Sequence, residues 1–173
     1  MENAVLTAIR ERRSIRKYKK EPIREEQLRA ILEAATYAPT GQGMQSPVMV
    51  AVTDPETVRE LSRLNARVMG TDNDPFYGAP AVVVVLADSE RSTCVEDGSL
   101  VMGTLMLAAH SVGVDSCWIH RAREVFESPE GKELLKKWGL SEKYIGIGNC
   151  ILGYRDCESP KAKERKKDYI LYV

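Results

Sequence analysis

Histidine is scarce in this 173-residue chain: His110 and His120 are the only two. The four cysteines, Cys94, Cys117, Cys150 and Cys157, are widely spaced, and no Cys-x-x-Cys pair occurs. Together these absences exclude a zinc site of the usual ligand spacing. Four reduced thiols in a cytoplasmic protein are expected. No apolar run approaches the roughly 20 residues of a membrane-spanning helix, so no membrane partner is expected. The Met1-Glu2-Asn3 start lacks the charged-then-apolar pattern of a secretion signal. Neither charge dominates: 25 basic residues balance 25 acidic ones, which removes the global case for a nucleic-acid partner. Internal repeats, low-complexity tracts and linkers are missing too. What remains is 43% apolar and 29% charged residues, the composition of one packed domain over 1–173.

Periodicity divides the chain into helices and strands. Val5, Leu6 and Ile9 lie on one side of a short helix from Asn3 to Arg12. Leu28, Ile31, Leu32 and Ala35 form the stripe of a second helix from about Arg24 to Tyr37. Ala38 to Gly43 reads as a loop and Val48 to Thr53 as a strand. Asp54-Pro55 supplies an N-cap and first residue for the next helix. A loop from Gly70 to Pro80 carries Phe76 and Tyr77, either pocket caps or loop anchors. Ala81 to Ala87 is apolar without alternation and predicts a strand buried on both faces, with helices on both sides of the sheet. Thr93 to Val112 predicts an apolar helix rich in small residues, for the core or a subunit contact, ended by Gly113. Strands follow at Val114 to His120 and Tyr144 to Tyr154, with a helix opened by Ser128-Pro129 between them. Tyr169 to Val173 is a candidate fifth strand. The order implies an α+β, three-layer fold with a central mixed sheet flanked by helices.

Two basic clusters stand out. Arg12-Arg13-Ser14-Ile15-Arg16-Lys17-Tyr18 is either a solvated turn or an anion site built from arginine forks and a hydroxyl. Lys161 to Lys167 forms a second cluster near the far end, and spacing alone does not join the two. No Gly-x-Ser-x-Gly, Walker motif or strand-linked Gly-x-Gly-x-x-Gly exists. Gly146-x-Gly148 lies inside a strand pattern and marks close packing. Cys117 reads as an inert buried thiol. An anion site without acid–base or nucleophilic machinery favours chemistry carried by a cofactor.

Four stretches resemble the FMN-dependent nitroreductase family, in that family's order. Arg12 to Tyr18 is similar to its Arg-Arg-Ser-x-Arg-x-aromatic element. Ala38-Pro39-Thr40-Gly41 with Gln45 and Pro47 is similar to its Ala-Pro-Ser/Thr loop. Val112 to Ile119 matches its Leu-Gly-Leu-Gly-x-x-Trp-Ile strand entry, and Lys163-Glu164-Arg165 its Lys-x-Arg. The resemblance implies a homodimer with FMN at the subunit interface and the terminal strand exchanged with the partner. It implies that Arg12, Ser14, Arg16, Lys163 and Arg165 contact the phosphate or ribityl chain, with Arg13 acting through its backbone. Pro39, Thr40 and Gly41 would line the flavin from the partner, with Gln45 near the ring and Trp118, Ile119 and His120 beside it. NAD(P)H would donate hydride at flavin N5, and a nitroaromatic or quinone would accept the electrons from the same pocket. Gly43 stands where the family usually has Asn, and Val48 where it has an aromatic. The chain is short for the family, and the helical insertion that covers the pocket in longer members is the expected omission. Two other readings stand beside the enzyme: a non-catalytic FMN-binding carrier, store or sensor, and a monomer whose basic clusters bind nucleic acid.

Overall fold

The computed structural model describes residues 1–173. Helices α1 (Ala4–Glu11) and α2 (Glu25–Ala35) precede a four-stranded sheet. Its strands are β1 (Val48–Val52), β2 (Ala81–Asp88), β3 (Asp115–Ile119) and β4 (Tyr144–Gly153), in the spatial order β1-β2-β4-β3. Helix α3 (Pro55–Met69) joins β1 to β2 and α4 (Cys94–Ser111) joins β2 to β3. Helices α5 (Ala122–Glu127) and α6 (Pro129–Lys137) join β3 to β4.

Local chemistry sets the boundaries. Asp54 caps α3, accepting hydrogen bonds from the Thr57 N–H (2.8 Å) and hydroxyl (2.6 Å), with Pro55 as first helical residue. Ser128 does the same for α6 through the Gly131 N–H at 3.1 Å. Gly113 ends the turn after α4 at φ +77°, in the left-handed region that a Cβ disfavours.

All strand pairs are antiparallel, and the expected mixed sheet is reduced to one parallel bridge, Ser14–Ser116. The reason lies in the β1–β2 connection. After α3 the chain needs the whole Gly70–Pro80 loop before it re-enters the sheet, and it does so with Val52 opposite Val82. β2 is buried on both faces, as its unbroken apolar run requires. One face packs under α3, α5, α6 and the Arg12–Tyr18 segment, with Ile15, Phe76, Leu61, Phe126 and Leu135 in the core. The other packs under α2 and α4, with Ile31, Met102 and Leu105. The three layers are those expected. Phe76 is 1% exposed and anchors its loop in the core. No helix is long and apolar enough to cross a membrane.

Two elements differ from the sequence reading. Helix α5 is additional: six residues entered through Arg121, at φ +73°. The fifth strand is not formed within the chain. Lys167–Tyr169 makes a 3₁₀ turn, and Tyr169 to Val173 is exposed and unpaired.

Candidate functional site

The Arg12–Tyr18 segment leaves α1 extended and runs beside β3. The Ile15 N–H donates to the Ser116 carbonyl (3.1 Å), and the buried Tyr18 hydroxyl donates to the Ile15 carbonyl at 2.8 Å. Arg13 turns its Nη1 back onto the α1 end, donating to the carbonyls of Arg10 (2.5 Å) and Arg12 (2.7 Å). Its side chain is therefore a helix-end cap, in keeping with a backbone role at the site. Arg16 is exposed.

Four buried donor atoms near this segment have no partner in the chain: Arg12 Nη1, Arg13 Nε, Ser116 Oγ and Trp118 Nε1. Ser116 and Trp118 point to the same face of β3, two residues apart. The Trp118 indole lies on Gly148, where a Cβ would come within 2.4 Å of Nε1, and Met102 of α4 closes in beside it. That explains Gly148 as a packing glycine, and Gly146 likewise abuts the Ala122 backbone. Burial pushes the thiols of Cys117 and Cys150 up. The Arg16 and Arg12 guanidiniums pull Cys117 only part of the way back, and Arg12 also pulls on Cys150. Both thiols are unreactive on this account, as expected for Cys117.

A second group of expected residues gathers at the first turn of α4, on the same side of the sheet as Trp118. The Pro39–Ser46 loop sits on the first turn of α4 and is organised by Asp97, which is 3% exposed. Its carboxylate accepts from the Gly41 N–H (2.8 Å), the Thr93 hydroxyl (3.1 Å) and the Ser46 hydroxyl (3.4 Å). The Gln45 N–H donates to Thr40 Oγ1 at 3.0 Å. A Cβ on Gly41 would meet Thr93 Oγ1 at 2.4 Å. Gln42, Gly43 and Gln45 all have positive φ, at 54°, 66° and 50°. Gly43 thus occupies a conformation that glycine and asparagine adopt most cheaply, and it keeps the loop's path without a side chain.

At the end of β3, Ile119 is buried, and the next residue, His120, is exposed. The His120 carbonyl accepts from Asn65 Nδ2 at 2.7 Å, which pins the turn before Arg121. Lys163 and Arg165 are exposed, and Arg165 bonds only to the Lys163 carbonyl. No hydrogen bond or ion pair joins the Arg12–Arg16 segment to either the Pro39–Gln45 loop or the Lys163–Arg165 pair. The structure therefore brings the expected residues together in separate groups. Asp97, Asn65 and Ser116 were missed by sequence reasoning. The signal for Asp97 was one acid in the first turn of an otherwise apolar helix, four residues after Thr93.

A model of the nitroreductase family matches residues 9–71 and 69–154. The chain belongs to the nitroreductase family. It is 34% identical over 146 residues to an NADH dehydrogenase of Thermus thermophilus, covering 84% of this chain and 65% of that one. The chain thus spans just under two thirds of that relative's length. A crystal structure of a nitroreductase with bound FMN from Bacteroides fragilis superimposes with a TM-score of 0.91 at 30% identity, covering 99% of this chain and 100% of that one. A nitroreductase with bound FMN from Desulfitobacterium hafniense gives 0.89 at 30% identity, with both chains fully covered. These matches agree with the sequence resemblance and with the three-layer α+β fold.

Proposed function

We propose that this nitroreductase-family chain is an FMN-dependent NAD(P)H oxidoreductase that acts as a homodimer. The observation that carries the reading is the set of unpartnered buried donors on Arg12, Ser116 and Trp118. A buried donor without an acceptor costs about 1–3 kcal/mol. Here the missing partner is an acceptor-rich group, which suits the phosphate, ribityl and ring oxygens of FMN. The FMN-bound relatives and the NADH dehydrogenase relative support the same cofactor and donor.

Arg12, Ser14 and Arg16 would hold the phosphate or ribityl chain, joined by Lys163 and Arg165. The Pro39-Thr40-Gly41 loop and Gln45 would line the ring, and Trp118, Ile119 and His120 would flank it. When bound, FMN supplies acceptance of hydride from NAD(P)H and its delivery to an electron-poor acceptor. The protein residues orient the ring, keep the loop rigid through Asp97 and leave one pocket for donor and acceptor in turn. Proton supply requires no side chain, since solvent reaches His120.

The dimer reading rests on apolar surface that one chain leaves uncovered. Val5 and Ile9 of α1 are 61% and 55% exposed, and Val95 and Leu100 of α4 are 46% and 47%. Ile170 to Val173 is more exposed still. A second copy would cover these faces, receive the terminal segment and join the separate groups of site residues into one pocket. The four free thiols support a reducing compartment such as the cytoplasm.

The kinetic test uses the FMN-loaded protein with NADH or NADPH and menadione or nitrofurazone, varying both substrates. Parallel lines in double-reciprocal plots are expected, because donor and acceptor use the pocket alternately. Intersecting lines would contradict the shared pocket. No turnover with any pair would favour a non-catalytic flavin carrier.

A further inference from the structure

A cavity at α3 shares no residue with the flavin site proposed above. It is a groove of about 1150 Å³ between α3, the Thr71–Pro80 loop and the Lys20–Pro22 turn. That exceeds the roughly 300–1,000 Å³ of most small-molecule pockets, and is far more than a lone inorganic anion fills. It lies beside β1, at the sheet edge opposite β3.

One wall carries Arg59, Arg63 and Arg67, spaced i, i+4 and i+8 on α3. Each step rises about 6 Å, so three guanidiniums run along roughly 12 Å of groove. Lys20 also lines the groove. Arg67 pairs with Glu130, whereas Arg59 and Arg63 make no ion pair or hydrogen bond. The Arg59 charge adds to the Thr57 hydrogen bonds that lower the pKa of Asp54, and the Arg63 charge adds to the Arg67 pairing that lowers that of Glu130, so an acid lies near each of these two arginines but none within ion-pair distance.

Two acids also line the groove, and one of them is already engaged. Asp74 accepts from the Ser62 hydroxyl (2.5 Å) and from the backbone N–H groups of Phe76 (2.8 Å) and Gly78 (2.6 Å). Its charge is turned onto its own loop. Asp72 is exposed and lies in the loop beyond the end of α3. The floor of the groove is apolar, from Pro55, Val58, Ala66, Phe76 and Ala79.

From this arrangement we propose that the α3 groove is a binding site for a soluble organic phosphate with an apolar body, separate from the flavin site. Arg59 and Arg63 hold the phosphate in forked, charge-assisted contacts, and the floor takes the apolar part.

The test uses the purified full chain saturated with FMN, so that the flavin phosphate site is filled. It titrates 1-naphthyl phosphate by calorimetry, with 1-naphthol and inorganic phosphate as controls. The expected result is one saturable site per chain for 1-naphthyl phosphate, with each control at least tenfold weaker. The double variant Arg59→Gln/Arg63→Gln should weaken binding at least tenfold while keeping the flavin absorbance of the parent. Absence of saturable binding, equal binding of either control, or unchanged binding in the double variant would overturn the proposal. A protein that takes up no FMN fails the flavin reading instead, and the same titration on that protein still judges the groove.

Discussion

Replacing Arg12 with Gln is expected to weaken FMN binding roughly tenfold to a hundredfold. A charge-assisted hydrogen bond contributes about 1.5–3 kcal/mol, and 1.4 kcal/mol is a factor of ten. The informative part is what should not be lost. In the cofactor-free chain Arg12 Nη1 is buried without a partner, so removing it takes no hydrogen bond from the fold and relieves an unpaired buried donor. Losing it should leave the urea-unfolding free energy of the cofactor-free protein no lower than the parent's, since the unpaired buried donor costs about 1–3 kcal/mol. A structural arginine behaves the opposite way, losing stability with and without flavin. The pair of measurements therefore separates a ligand-holding role from a packing role. If Arg12→Gln retains full flavin occupancy through dialysis, the assignment of the donor cluster is wrong.

The second large effect is expected at Asp97. Its carboxylate gathers the Gly41 N–H and the Thr93 and Ser46 hydroxyls under the α4 end. Asp97→Ala leaves these donors without their acceptor, at about 1–3 kcal/mol for each one that stays buried. Because water reaches the loop, the sum should settle near 3 kcal/mol, a large part of the roughly 5–15 kcal/mol that stabilises a domain. Asp97→Asn keeps the shape and one acceptor oxygen, and the two hydroxyls can turn to accept from its NH₂. It should cost about 1 kcal/mol. Urea unfolding at constant m-value gives both numbers. FMN affinity should fall in the same order, since the loop that would line the ring loses its support. An Asp97→Ala protein as stable as the parent would show that the loop holds itself.

Much of this could be read from the sequence, and the parts that could not share a cause. Helices α2 and α3 were legible because their apolar stripes and caps are local signals: Leu28 to Ala35 in one, Asp54-Pro55 in the other. β2 was legible because a run of four valines fits only a doubly covered strand. Strand direction was not legible. It depends on how the Gly70–Pro80 loop returns the chain to the sheet, and no local pattern encodes that path. Helix α5 was hidden by its six residues and by Arg121, a non-glycine in the left-handed region. Within the site, Arg12 and Trp118 belonged to contiguous motifs. Asp97 lies 56 residues from Gly41 and becomes visible only when α4 reaches the loop. Tyr169 to Val173 looked like a strand and is unpaired in the single chain. Its apolar, β-branched composition fits pairing with a second copy.

The central claim is that the chain binds FMN and passes it electrons from a nicotinamide. The most direct test is a visible spectrum of the purified protein, taken anaerobically before and after adding NADH or NADPH. The account predicts an oxidised-flavin band that bleaches with at least one of the two. A protein that shows no band even after incubation with FMN, or a band that neither nucleotide bleaches, would contradict it.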